Sequence, residues 1–342
     1  MQACCYEVYQ ENQDTKTLRC NLCHHKCIIK DGERGICKTR ENNNGILRSL
    51  VYGKIISNHV DPIKKKPIFH LMPGSLSYSI ATVGCNFTCQ FCQNHQISHS
   101  QIGEDGKIPI GKKMRPEDVI YAAEKENCKS ISYTYTEPTV FFEFALDISK
   151  FARERNIKNI FVTNGYMSSQ ALELISPFLD AANVDLKAYN DKFYREVCGA
   201  RLEPVKETLK LMKYYGILVE ITTLIIPDLN DSEKELEQLA IFIADTLGTE
   251  TPWHLSRFHP DYKLLNKKIT PIETLMKAHE IGIKAGLKYV YVGNVSGNKY
   301  ENTFCYQCGN LVIERRGFYI GARNIINNCC ANCGAVIYGI GL

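Results

Sequence analysis

The chain has 342 residues, 44% of them hydrophobic, so it can bury a sizeable core and suits one large α/β unit with smaller attachments. Its formal net charge of +4 is small for this size and makes no case for nucleic acid or an anionic membrane surface as a partner. The Met1–Gln13 stretch lacks the apolar run of a secretory signal, and no segment approaches the roughly 20 apolar residues of a membrane helix; the expectation is a cytoplasmic protein.

Residues 1–75 read as polar, Cys-rich and irregular, with a hairpin or two short strands over Gly45–Asn58. Asp61-Pro62 and Met72-Pro73-Gly74 break the chain between that hairpin and Leu76, and Lys64-Lys65-Lys66 reads as a solvated loop. From Leu76 onward strands and helices alternate. Strands are predicted at Leu76–Val83, Ser130–Tyr135, Asn159–Thr163, Ala182–Lys187, Leu218–Ile226, Pro252–Ser256 and Tyr289–Gly293. Helices are predicted at Pro116–Asn127, Val140–Arg155, Ser168–Ile175, Val205–Tyr215, Ser232–Thr246 and Pro271–Ala285. This alternation calls for a parallel sheet with right-handed crossovers. Seven strands fill an open partial β/α barrel rather than a closed eight-stranded one. The expected division is a Cys-rich, metal-binding segment at 1–75, the partial barrel at 76–298 and a short β-rich knuckle at 299–342.

The sixteen cysteines are grouped. In a reducing cytosol, tight cysteine spacing points to metal rather than to disulfides; Cys128 and Cys198, outside the groups, read as inert buried thiols. The run Cys85-Asn86-Phe87-Thr88-Cys89-Gln90-Phe91-Cys92 has the spacing CxxxCxxC. It comes directly after the first barrel strand, on the face where barrel active sites sit, and Gly84 permits the sharp exit. Three thiolates on one short loop can ligate three irons of a cubane 4Fe-4S cluster and leave the fourth iron open to a small ligand. The alternative is a zinc site completed by His95 or His99, although zinc usually takes paired knuckles.

Two further groups flank the barrel. Cys305-x2-Cys308 and Cys330-x2-Cys333, with Gly309 and Gly334 after each pair, have the spacing of a zinc ribbon. Cys329 adjoins Cys330, but Cys330 keeps the CxxC gap. Zinc there would stabilise about 40 residues, too few to hold a core alone. Cys20-x2-Cys23-x3-Cys27-x9-Cys37 supplies four thiolates for a structural zinc, the preferred reading, or for an auxiliary cluster, and His24 or His25 could replace one ligand.

On these residues the segment 76–298 resembles the radical S-adenosylmethionine (radical SAM) superfamily, most closely its activase-type members, the pyruvate formate-lyase activating enzyme and its relatives. With Cys20–Cys27, Gly35-Ile36-Cys37, Asp61-Pro62-Ile63, Trp253–Pro260 and the ribbon added, almost the whole chain is similar to the radical SAM protein of the AmmeMemoRadiSam system, whose name states no reaction. The resemblance implies that the amino and carboxylate groups of SAM chelate the open iron. It implies that Glu137, in Tyr135-Thr136-Glu137-Pro138, accepts from the SAM amino group, and that Asn164, in Thr163-Asn164-Gly165, His259, and the Ile225-Ile226-Pro227 strand end lie near SAM. Asp185 and Lys187, on one face of a strand by alternation, could grip its ribose or methionyl part. Each has a plainer reading: an ordinary turn for Asn164, a structural ion pair for Asp185 and Lys187, a hydrogen-bonded surface histidine for His259.

The implied activity is reductive cleavage of SAM to a 5′-deoxyadenosyl radical with reduced flavodoxin or ferredoxin as electron donor. The radical then abstracts hydrogen from an unidentified substrate, with a residue on another protein or peptide as one candidate. A glycyl-radical activase is the first rival, weakened because Val162 stands where activases commonly carry Asp. A non-catalytic zinc/iron-sulfur scaffold or electron carrier is the second, and it would not need Glu137, Asp185 and Lys187 on the cluster's face.

Overall fold

Eight strands form the central sheet of this computed structural model, which describes residues 1–11, 16–99, 111–297 and 299–342. They are β1 (Ser57–Pro62), β2 (Leu76–Ala81), β3 (Ser130–Tyr133), β4 (Lys158–Thr163), β5 (Ala181–Asp185), β6 (Leu218–Ile225), β7 (Trp253–Arg257) and β8 (Val290–Gly293), and they neighbour one another in chain order. β2 to β8 run parallel, whereas β1 pairs antiparallel with β2. β1 and β8 are the two edges, so this is the expected open partial barrel with one added edge strand. The expected boundary at 298 and the end of the Met1–Gln13 stretch fall outside the described residues.

The crossovers carry α1 (Pro116–Lys125), α2 (Phe142–Glu154), α3 (Ser169–Ile175), α4 (Leu202–Tyr214), α5 (Glu233–Phe242) and α6 (Ile272–Lys284). Sequence sets their ends: Pro116 opens α1 without wasting an amide, and the Ser168 and Ser232 hydroxyls cap α3 and α5. α2 buries Phe142, Phe144, Ala145, Ile148 and Ala152. Burying each of its large apolar side chains contributes about 1.5–3 kcal/mol. Because seven strands share one direction, their C-terminal ends and the loops after them gather on one face.

Residues 1–75 are more regular than expected. Tyr6–Glu11, Lys16–Cys20 and Ile28–Ile29 form a three-stranded sheet, and Arg40–Asn43 pairs with Ile46–Ser49. The C-terminal segment folds as Thr303–Phe304, Leu311–Arg316 and Tyr319–Arg323. It docks Cys305, Val312, Ile313 and Cys330 on Phe69, Tyr289 and Tyr291, while buried Arg315 donates to the Phe69 carbonyl at 2.9 Å. Among the described residues no helix is long and apolar enough to cross a membrane.

Candidate active site

The loop after β2 begins at Gly84, whose φ of +98° a side chain would resist and whose added Cβ would strike Thr39. The loop is clamped from outside: Thr88 and Gln90 amides donate to the carbonyls of Cys198 and Val197 at 2.8 and 3.0 Å. Cys85, Cys89 and Cys92 thereby reach the wall of one cavity of about 440 Å³, within the size range of small-molecule sites. Glu137, Asn164, Asp185 and Lys187 line the same cavity. His259 lies elsewhere. It lines an adjoining cavity of about 790 Å³ that shares Lys65, Gln93, Thr222 and Ser256 with the first. Ile225 and Ile226 are buried in the core, and Leu224 presents the apolar wall instead.

Glu137 is buried and heavily engaged. Its Oε1 accepts from the Thr139 amide at 3.1 Å, from the Thr139 hydroxyl and from the Thr163 hydroxyl at 2.7 Å. Its Oε2 accepts from the Asn164 amide at 2.8 Å. Burial pushes the carboxyl up, and these donors oppose the shift. Glu137 thus ties the loop after β4 to the loop after β3. Asn164 Nδ2 in turn reaches Cys85 Sγ at 3.4 Å and Asn86 Oδ1 at 3.2 Å.

Lys187 Nζ donates to Asp185 Oδ2 at 2.7 Å. β5 ends at Asp185, and a tight turn from the Leu186 amide to the Val184 carbonyl, rather than strand alternation, brings the two together. Burial alone would lower the lysine, and the Asp185 carboxylate outweighs it; Lys187 also neighbours the Cys89 and Cys198 sulfurs. Cys198, read from sequence as inert, therefore stands beside Cys89.

Other wall residues escaped the sequence reading. Ser98 Oγ lies 3.1 Å from Cys92 Sγ. Lys66, expected in a solvated loop, is 2% exposed, donates to Asp61 at 2.7 Å and lies 4.2 Å above the Tyr135 ring. Burial draws its pKa down to about 8, against the pull of Asp61. Tyr135 donates to the same carboxylate. A positive φ of 63° at Tyr135 makes this placement, and nothing in the residue types announces it.

The thiols suit a cluster better than one ion. A tetrahedral zinc with bonds of about 2.3 Å draws its sulfurs to about 3.8 Å of one another. Among the described residues, three or more metal-ligating atoms all within 4.8 Å of one another occur in one group, Cys305, Cys308, Cys330 and Cys333. There Cys305 and Cys333 sulfurs are 3.6 Å apart and those of Cys308 and Cys330 3.8 Å. The wider Cys85, Cys89 and Cys92 set fits several irons. His95 and His99 both stack on Tyr262, at 4.5 and 5.5 Å, and His99 lines the cavity with the three thiols. Burial and Glu137 push the Cys85 thiol far up, and contact with Cys198 and burial do so for Cys89. Loading a metal must therefore expel protons.

Comparison with known proteins agrees with this geometry. A family model described as the Radical SAM superfamily matches residues 79–240. An uncharacterized protein of Methanocaldococcus jannaschii is 48% identical over 335 residues, 96% of this chain and 98% of the relative. The pyruvate formate-lyase-activating enzyme of Clostridium pasteurianum is 24% identical over 216 residues, 60% of this chain and 87% of that enzyme. In fold, the chain is similar to a radical SAM methyltransferase from Sphaerobacter thermophilus, with a TM-score of 0.50 at 14% identity over 90% of this chain and 81% of that one. Together with a thiol-lined cavity on the C-terminal face of an open parallel barrel, this similarity places the chain among the enzymes of the radical SAM superfamily.

Proposed function

We propose that Cys85, Cys89 and Cys92 hold a 4Fe-4S cluster and that the cavity beside them holds SAM. The observation that supports this most is three widely spaced thiols sharing one cavity wall with Glu137, Asn164, Asp185 and Lys187. When bound, the pair would supply a 5′-deoxyadenosyl radical, with methionine as the other product, by one-electron reductive cleavage of the sulfonium, reduced flavodoxin or ferredoxin being the donor, for hydrogen abstraction from the substrate. The chain's part is to orient and to exclude water. Asn164 Nδ2 donates to the Cys85 sulfur, and the Lys187 ammonium offsets negative charge at Cys89. The second lone pair of Glu137 Oε2 accepts from the ligand's ammonium. Asp185, partly exposed, offers its other oxygen to ribose hydroxyls, and Leu224 covers an apolar face.

The second cavity, with His259, admits the substrate. Similarity to a pyruvate formate-lyase-activating enzyme supports a protein or peptide substrate, while Val162 on the wall, where activases commonly carry Asp, argues against a glycyl-radical partner. In this reading 76–298 is the catalytic barrel, 1–75 and 299–342 are attached metal-binding segments, the C-terminal four cysteines hold zinc, and the protein works in the cytoplasm. The test is anaerobic reconstitution of wild type and of the Cys85→Ala/Cys89→Ala/Cys92→Ala variant. The variant should lose about four irons and four sulfides per chain; unchanged iron would refute the assignment.

A further inference from the structure

Cys20, Cys23, Cys27 and Cys37 come together although they lie on different segments. All four wall one partly open cavity, with Leu22, Ile29, Ile36 and Val140 among its apolar lining. The cavity has an interior void that admits a water-sized sphere. Four sulfurs drawn to about 3.8 Å around one zinc would close such a void. The C-terminal cysteines have that closed spacing, whereas no three of the N-terminal sulfurs lie within 4.8 Å of one another.

Two buried polar groups face the cavity with unused donors. Asn86 is 1% exposed and its Nδ2 has no partner; its Oδ1 is taken by Asn164. Arg40, also 1% exposed, has an unpartnered Nε and brings Nη1 to 3.7 Å from Cys20 Sγ. The Thr39 hydroxyl donates to Cys37 Sγ at 3.3 Å. Such donors suit an anionic thiolate-sulfide cluster; the guanidinium of Arg40 is also paired with buried Glu143.

We propose that these four cysteines ligate a second, redox-active 4Fe-4S cluster, with Asn86 and Arg40 donating to its sulfurs. This takes the auxiliary-cluster alternative over the structural zinc preferred from sequence. Asn86 is the residue after Cys85, so the second cluster would lie directly behind the loop of the first and exchange single electrons beside it. All four thiolates are supplied by the chain, so it has no open iron for SAM.

The test is the iron, sulfide and zinc content of anaerobically reconstituted wild type and of the Cys85→Ala/Cys89→Ala/Cys92→Ala variant. Wild type should hold about eight irons and one zinc, and the variant about four irons. On reduction by dithionite the variant should give the paramagnetic spectrum of a one-electron-reduced cubane. Adding Cys20→Ala and Cys37→Ala should abolish both. An iron-free variant with about two zincs would overturn the proposal while leaving the first cluster intact. A variant that retains all its iron would instead refute the first assignment. Should the variants not fold, wild-type stoichiometry decides: about eight irons support the second cluster, about four irons with two zincs refute it.

Discussion

Glu137→Gln exchanges one carboxylate oxygen for an amide group in a buried site where both oxygens are in use. Oε1 serves the Thr139 amide and two hydroxyls, and Oε2 serves the Asn164 amide. Hydroxyls can turn to accept, but backbone amides cannot. Either orientation of the glutamine therefore strands one N–H, that of Asn164 or that of Thr139. A lost bond to a charged acceptor costs about 1.5–3 kcal/mol. Burial already pushes the carboxyl up, so the neutral amide recovers some desolvation, and the net expected loss is about 2 kcal/mol. In a chain of this size that lowers Tm by roughly 3 °C. Stranding Asn164 also frees the side chain that reaches Cys85, so SAM affinity should fall roughly tenfold or more. The assay is anoxic urea unfolding together with SAM titration of the reconstituted protein. Wild-type stability and wild-type SAM affinity in Glu137→Gln would refute the reasoning.

Gly199 holds φ at +70° and an added Cβ would lie 2.3 Å from Thr88 Oγ1; Gly199→Ala should cost about 1–2 kcal/mol in backbone strain and reduce iron loading at the Cys85 loop, which iron analysis and Tm would read. Cys305→Ser or Cys330→Ser should remove about one zinc per chain and expose 299–342 to protease. Because all four ligands must be deprotonated, zinc affinity there should fall with acidification, read as zinc released against pH. Burial lowers His70 from 6.5 to about 4. Between those values the unfolded chain binds the extra proton, so stability falls with acidification across that window by up to about 3 kcal/mol. Unfolding free energy against pH should be flatter in His70→Gln than in wild type; equal slopes would contradict this.

The barrel was legible because parallel strands are buried on both faces and read as apolar runs; Val290-Tyr291-Val292 is buried at every position. β1 was not. Its sequence Ser-Asn-His-Val-Asp-Pro is polar, it pairs antiparallel at an edge, and it ends in a proline. The same edge hides Asp61 and Lys66, whose lysine run looked solvated until the fold turned Lys66 inward onto Tyr135. The three cysteines of the motif were legible from spacing alone. Their support was not, since Ser98 and Cys198 reach the loop through local turns and a crossover that residue types do not disclose. Asp185 and Lys187 were expected together for the wrong local reason: a turn past the strand end does the work assigned to alternation. His259 sits one cavity away because the strand before it, β7, lies beyond β6 in the sheet. Its chain position alone could not separate the two cavities.

The central claim is that this cavity directs SAM cleavage from Cys85, Cys89 and Cys92. The most direct measurement is 5′-deoxyadenosine formed when the reconstituted protein is mixed anoxically with SAM and dithionite or reduced flavodoxin. Wild type should form it, and a Cys85→Ala variant that keeps its fold and its zinc should form none. Absence of product from fully loaded wild type, or equal product from the variant, would contradict the account.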